Sequence, residues 1–134
     1  MAWGLTRAIM RVVRSEAVMA DKVEHRSKPN FFDIDFEKAP FIAIWEVTRA
    51  CDLRCVHCRA EAIPNRDPDE LTKEQGFKLI DELRAFSDTA PPLFVLTGGD
   101  PIKSPYTMDY IKYADSVGLR VAVTPSATGL LTRE

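Results

Sequence analysis

Residues 41–58 read FIAIWEVTRACDLRCVHC, an apolar, strand-like run that closes in Cys51, Cys55 and Cys58. The three cysteines are the only ones in the chain and fall within eight residues, so no second set remains for a disulfide framework. Iron–sulfur clusters are held by cysteine thiolates, and four of them close the site. Three thiolates spaced C-x3-C-x2-C can bind three irons of a cubane cluster and leave the fourth iron open to another ligand. A structural zinc site is the competing reading, and it needs four protein ligands in tetrahedral geometry. His57 lies inside the run and His25 far upstream, so a Cys3His zinc site stays open as an alternative. A ferredoxin-type pattern needs a fourth cysteine that the chain does not have.

About forty residues further on, Leu93-Phe94-Val95-Leu96-Thr97 has the length and apolar content of a buried strand. Gly98-Gly99-Asp100-Pro101 follows it. Two glycines allow a sharp turn and a close backbone approach to a ligand. Asp100 adds a carboxylate at the strand end, and Pro101 fixes the chain leaving it. Alone, such a turn more often reverses the chain than binds anything. Its distance from the cysteine run makes the pair specific.

The segments around these motifs alternate. A strand over about Phe41–Val47 precedes the cysteine loop. Leu71-Thr72-Lys73-Glu74 then opens a helix to about Phe86, with Thr72 as its cap and Glu74-Gln75 as a helix-favouring start. Phe77, Leu79, Ile80 and Leu83 keep roughly helical spacing. The strand Leu93–Leu96 is followed by a helix from about Tyr106 to Val117, with Gly118 as a C-terminal cap, and by a strand over Leu119–Thr124. Alternating strands and helices predict an α/β fold with a parallel sheet and right-handed crossovers. Both motifs then fall at C-terminal strand ends, where (β/α) barrels place their active sites. On strand one, Trp45 reads as core packing. Arg54 and Arg59 read as solvated or ion-paired, and either could balance the charge of a cluster.

From about Phe41 to Arg133 the sequence resembles the radical S-adenosylmethionine (SAM) enzymes. In that family three cysteines spaced as here hold a [4Fe-4S] cluster, which implies Cys51, Cys55 and Cys58 as ligands. The family's Gly-Gly-Glu-Pro motif contacts the methionyl amino group of SAM, which implies Gly98, Gly99, Asp100 and Pro101 as cofactor contacts. The resemblance further implies reductive cleavage of SAM to a 5′-deoxyadenosyl radical that abstracts hydrogen from a substrate, with an electron donor such as flavodoxin or ferredoxin. Asp100 departs from the commoner Glu and reaches one methylene less far. The stretch WEVTRACDLRCVHCRAEA is most similar to the branch with C-terminal SPASM-type cluster domains, where His before the last cysteine is familiar. That branch implies a peptide or tetrapyrrole substrate, and the resemblance leans towards peptide maturation. Ser126 and Thr128 stand where related enzymes often carry a Thr-Asn-Gly turn, which implies a possible hydroxyl contact from Ser126 to SAM. Their plainer reading is that they satisfy local backbone groups.

Composition fits an ordinary soluble chain: 134 residues, 46% hydrophobic, formal net charge −2. No basic excess marks a nucleic-acid surface, and no apolar run approaches the ~18 residues of a membrane span. Free thiols and an oxygen-sensitive cluster predict a reducing cytoplasm. Residues 1–28 read as a leader, with Leu5, Ala8, Ile9, Val12 and Val13 at helical spacing between arginines, and a polar linker. A membrane-surface role for that helix is the less favoured reading, and Met10 and Met19 are alternative starts. Residues 29–134 read as the N-terminal half of the core, about three of the six β/α units that the resemblance implies. The expectation is therefore a truncated fragment, active within a longer protein. The alternatives are a non-catalytic zinc module, an inactive fragment, or a half barrel completed by a second chain.

Overall fold

The computed structural model of the chain describes residues 34–132; the expected leader over 1–28 lies outside the described residues. Three strands, β1 (Ile42–Thr48), β2 (Leu93–Gly98) and β3 (Arg120–Val123), form one parallel sheet in the order β1-β2-β3. Helix α1 (Lys73–Arg84) connects β1 to β2, and α2 (Thr107–Ser116) connects β2 to β3. Each new strand is laid beside the last. With right-handed crossovers, both helices then cover one face of the sheet. This is the winding of a (β/α) barrel segment, without the reversal of strand order that marks a doubly wound sheet. The expected α/β class, with a partial (β/α) arrangement, is what the chain adopts.

The two faces of the sheet differ sharply. Ala43, Trp45 and Val47 of β1 point towards the helices, together with Phe94 and Leu96 of β2 and Val121 and Val123 of β3. Their core partners are Ile80 and Leu83 of α1 and Tyr110 and Ala114 of α2. The opposite face carries Ile42, Ile44 and Glu46 in β1, all exposed. By register, Ile42 lies beside Leu93 and Arg120, Ile44 beside Val95 and Ala122, and Glu46 beside Thr97.

Aromatic rings bind the layers. Tyr110, 1% exposed, lies 5.0 Å from Trp45 and edge-on to Phe77 at 5.7 Å, while Trp45 stacks on Phe94 at 6.2 Å. The expectation that Trp45 is a core residue holds. Gly76 in the middle of α1 makes room for this cluster, since a Cβ there would lie 2.5 Å from the Tyr110 ring. The helices are joined at their solvent edges by Lys73 to Asp109 (2.7 Å) and by the Tyr113 hydroxyl donating to Asp81 (2.7 Å).

Element ends differ from expectation by at most two residues, for local reasons. Helix α1 starts at Lys73 because a capping box closes there: Thr72 Oγ1 accepts from the Gln75 N–H, and Gln75 Oε1 accepts from the Thr72 N–H. Strand β2 runs on to Gly98, because Thr97 and Gly98 pair with Glu46 and Thr48 across a register shift. Gly118 ends the second helical segment at φ +96°, the left-handed conformation that favours glycine.

Candidate functional site

Strand β1 ends at Thr48, and the chain turns at once into the cysteine loop. Three hydrogen bonds fix that turn: Ala50 N–H donates to Thr48 Oγ1 (3.0 Å), Cys51 N–H to Ile63 O (2.9 Å) and Ile63 N–H to Arg49 O (2.9 Å). Buried Thr48 in turn donates to Glu70 (2.5 Å), and Glu70 is held by Arg66 (2.6 Å). The loop is thus anchored at its root and open at its tip. Cys51 is buried, whereas residues 52–59, including Cys55 and Cys58, are exposed.

The glycine turn at the end of β2 is joined directly to this root. Gly99 N–H donates to Thr48 O (2.8 Å) and Asp100 N–H to Ala50 O (2.7 Å). A Cβ on Gly98 would lie 2.1 Å from Thr48 O, and one on Gly99 2.5 Å from the carbonyls of Arg49 and Ala50. Gly98 also takes φ +138°, open to glycine alone among common residues. The close approach anticipated for the glycines is therefore made to the backbone that leads into Cys51. The sequence alone points to a bare turn without saying which partner requires it.

Asp100 differs from its simplest expectation in a second way. Its side chain is 1% exposed, with Oδ1 accepting from Ile102 N–H (3.1 Å) and Oδ2 accepting from Thr128 Oγ1 (2.9 Å). The carboxylate caps the short 3-10 turn Pro101–Lys103 and ties down the segment after β3. Ser126 Oγ donates to Gly99 O (2.8 Å) and lies 3.5 Å from Cys51 Sγ. Thr128 Oγ1 also accepts locally from Leu130 N–H (3.4 Å), but the other bonds of both hydroxyls reach distant segments. They latch the third strand end onto both motifs.

Two side chains escaped the sequence reading. Lys103 pairs with Asp52 inside the cysteine loop and also donates to Pro64 O (3.3 Å). Arg66 lies over the Tyr106 ring at 5.5 Å while holding Glu70. Lys103 with Asp52 and Arg66 with Tyr106 are contacts between distant segments, and no local spacing announces them. Arg54 and Arg59, by contrast, are exposed and without an ion pair among the described residues.

The donor set fits an iron–sulfur group by its chemistry: three soft sulfur ligands on one loop, one of them against a latched, buried wall and two on an open tip. Leu53 N–H already donates to Cys51 Sγ (3.4 Å), the kind of contact that supports a bound thiolate. Among the described residues, no three His, Cys, Asp or Glu side chains converge closely enough to hold a metal.

Comparison with known proteins agrees with this arrangement. The pattern of the Radical SAM superfamily matches residues 45–133. The chain is 42% identical over 84 residues to an "AdoMet-dependent heme synthase" of Oleidesulfovibrio alaskensis, covering 63% of this chain and 21% of that protein. It is 30% identical over 120 residues to an "Fe-coproporphyrin III synthase" of Methanosarcina barkeri, covering 90% of this chain and 29% of that protein. It is 35% identical over 96 residues to "Mycofactocin maturase MftC" of Mycobacterium tuberculosis, covering 65% and 23%. The chain thus spans between a fifth and a third of the length of these curated relatives. Haem-pathway synthases and a maturase are the two kinds of enzyme expected for the branch with SPASM-type domains. No solved structure matches the chain. With the cysteine loop, the glycine turn and the parallel strand order all inside the matched region, the chain belongs to the Radical SAM superfamily.

Proposed function

We propose that the chain holds a [4Fe-4S] cluster through Cys51, Cys55 and Cys58 and binds SAM beside it at Gly98, Gly99, Asp100 and Pro101. It would do so as part of a radical SAM enzyme acting on a tetrapyrrole or a peptide. The observation that carries this reading is the direct main-chain join between the glycine turn and the root of the cysteine loop. Two ligand sites built on that join would keep a fixed separation. When bound, the cluster supplies the electron that cleaves SAM reductively to methionine and a 5′-deoxyadenosyl radical. The chain's own residues hold geometry. Gly98 and Gly99 let the two strand ends meet, Asp100 and Thr128 fix the exit of the turn, and Ser126 spans from Gly99 to Cys51.

The 42% identity to an AdoMet-dependent heme synthase, against 35% to the maturase, leads us to favour a tetrapyrrole substrate over the peptide first anticipated. On this reading residues 29–134 form part of the catalytic core and 1–28 a leader. The protein works in the cytoplasm and takes electrons from a flavodoxin- or ferredoxin-type donor. No helix among the described residues is long and apolar enough to cross a membrane.

Metal and sulfide analysis after anaerobic reconstitution tests the cluster. About four irons and four sulfides per chain are expected, with loss in each of Cys51→Ala, Cys55→Ala and Cys58→Ala. One zinc per chain without sulfide would overturn the proposal and favour a zinc module.

A further inference from the structure

We infer that Glu46 is a second carboxylate, besides Asp100, that meets the positive charge of SAM. The inference rests on the cofactor reading above and adds a residue to it. Glu46 alternates away from Trp45 and Val47, so it stands on the sheet face opposite the helices. In a (β/α) barrel that face lines the interior, and its C-terminal end is where chemistry takes place. Along the face, the rows Ile42–Leu93 and Ile44–Val95–Ala122 are apolar. The next row, Glu46 beside Thr97, turns polar one register step before Thr48 and Gly98, where the cysteine loop and the glycine turn join.

The Glu46 side chain forms no hydrogen bond or ion pair among the described residues. The carboxylates around it are committed: Asp100 to Ile102 and Thr128, Glu70 to Thr48 and Arg66, Asp52 to Lys103. The Asp100 carboxylate is buried and already accepts a hydrogen bond on each oxygen, so Glu46 adds an unpaired carboxylate to the one that Asp100 brings. No protein partner among the described residues has to be displaced before a cation meets the Glu46 carboxylate. SAM carries a sulfonium and an ammonium against a single carboxylate, so its net charge is positive at neutral pH. Glu46 supplies the complementary charge from the face on which the cofactor would lie. A tetrapyrrole bearing propionates would be repelled from the same position.

The test is equilibrium dialysis of labelled SAM against the anaerobically reconstituted chain, with cluster content read by absorbance in each sample. Glu46→Gln is expected to keep the cluster and weaken SAM binding about tenfold, in line with loss of a charge-assisted bond. Glu46→Asp is expected to keep part of the affinity, and Arg120→Gln, at the far end of the same face, to keep all of it. Equal SAM affinity in wild type and Glu46→Gln, with clusters intact, overturns this inference and leaves the cofactor reading standing. A wild-type chain that holds its cluster and binds no SAM overturns the cofactor reading, and this inference with it.

Discussion

Gly99 has its amide hydrogen-bonded to Thr48 O and its Cα facing two carbonyls, so any side chain there must push β1 and β2 apart. Gly99→Ala is expected to cost about 3 kcal/mol or more, in the class of forced backbone clashes, read as a fall in the denaturant midpoint. A loss below ~0.5 kcal/mol would contradict the close approach. This requirement was half legible beforehand. The Gly-Gly-Asp-Pro turn announces a bare backbone, but a ligand and a neighbouring strand end both demand one. Only the fold identifies the strand end as the group in contact. Ser126 and Thr128 teach the same lesson. Hydroxyls in a loop read locally as caps, and their bonds to Gly99 and Asp100 cross about thirty residues of sequence. Glu46 was visible only as one half of an alternation with Trp45. Its distinction lies in having no partner while its neighbours are paired.

At the scale of elements, local signals served best where the chemistry is local. Thr72 caps the helix as its position suggested, with Gln75 closing a capping box that the sequence reading did not name, and Gly118 takes the positive φ expected of a helix terminator. Gly76 shows where propensity misleads. Alanine at a mid-helix position ordinarily gains about 1 kcal/mol over glycine, yet here its Cβ would overlap the buried Tyr110 ring. Gly76→Ala is expected to destabilise by about 1–3 kcal/mol, as overpacking does, and a stabilised variant in thermal melts would contradict that. Tyr110 also makes the helix pair sensitive to alkali. Burial first, then the neighbouring Tyr106, pushes its phenol up to about 12, against about 10 in an unfolded chain. Below pH 10 both states keep the proton, and stability is unaffected. Between about 10 and 12 the unfolded chain releases it while the native chain holds it, so stability falls as pH rises. Tyr110→Phe is expected to flatten that part of the profile of melting temperature against pH. An unchanged slope would show that the phenol is not the group responsible.

For the molecule as a whole, one architectural fact organises the rest. Parallel strands laid down in sequence order bring successive C-terminal ends to one edge of the sheet, so motifs about forty residues apart in sequence become neighbours. That much follows from the alternation of strands and helices, because right-handed crossovers leave little choice. The contacts that stiffen the edge, Lys103 with Asp52 and Arg66 over the Tyr106 ring, could not be read in advance, since they depend on which loops the edge brings together. The central claim is that this edge is a joint site for an iron–sulfur cluster and SAM. Electron paramagnetic resonance of the anaerobically reconstituted, reduced chain, recorded with and without SAM, tests it most directly. The account expects a reduced [4Fe-4S] signal that shifts when SAM is added. A cluster signal indifferent to SAM, or no cluster at all in a folded chain, would contradict it.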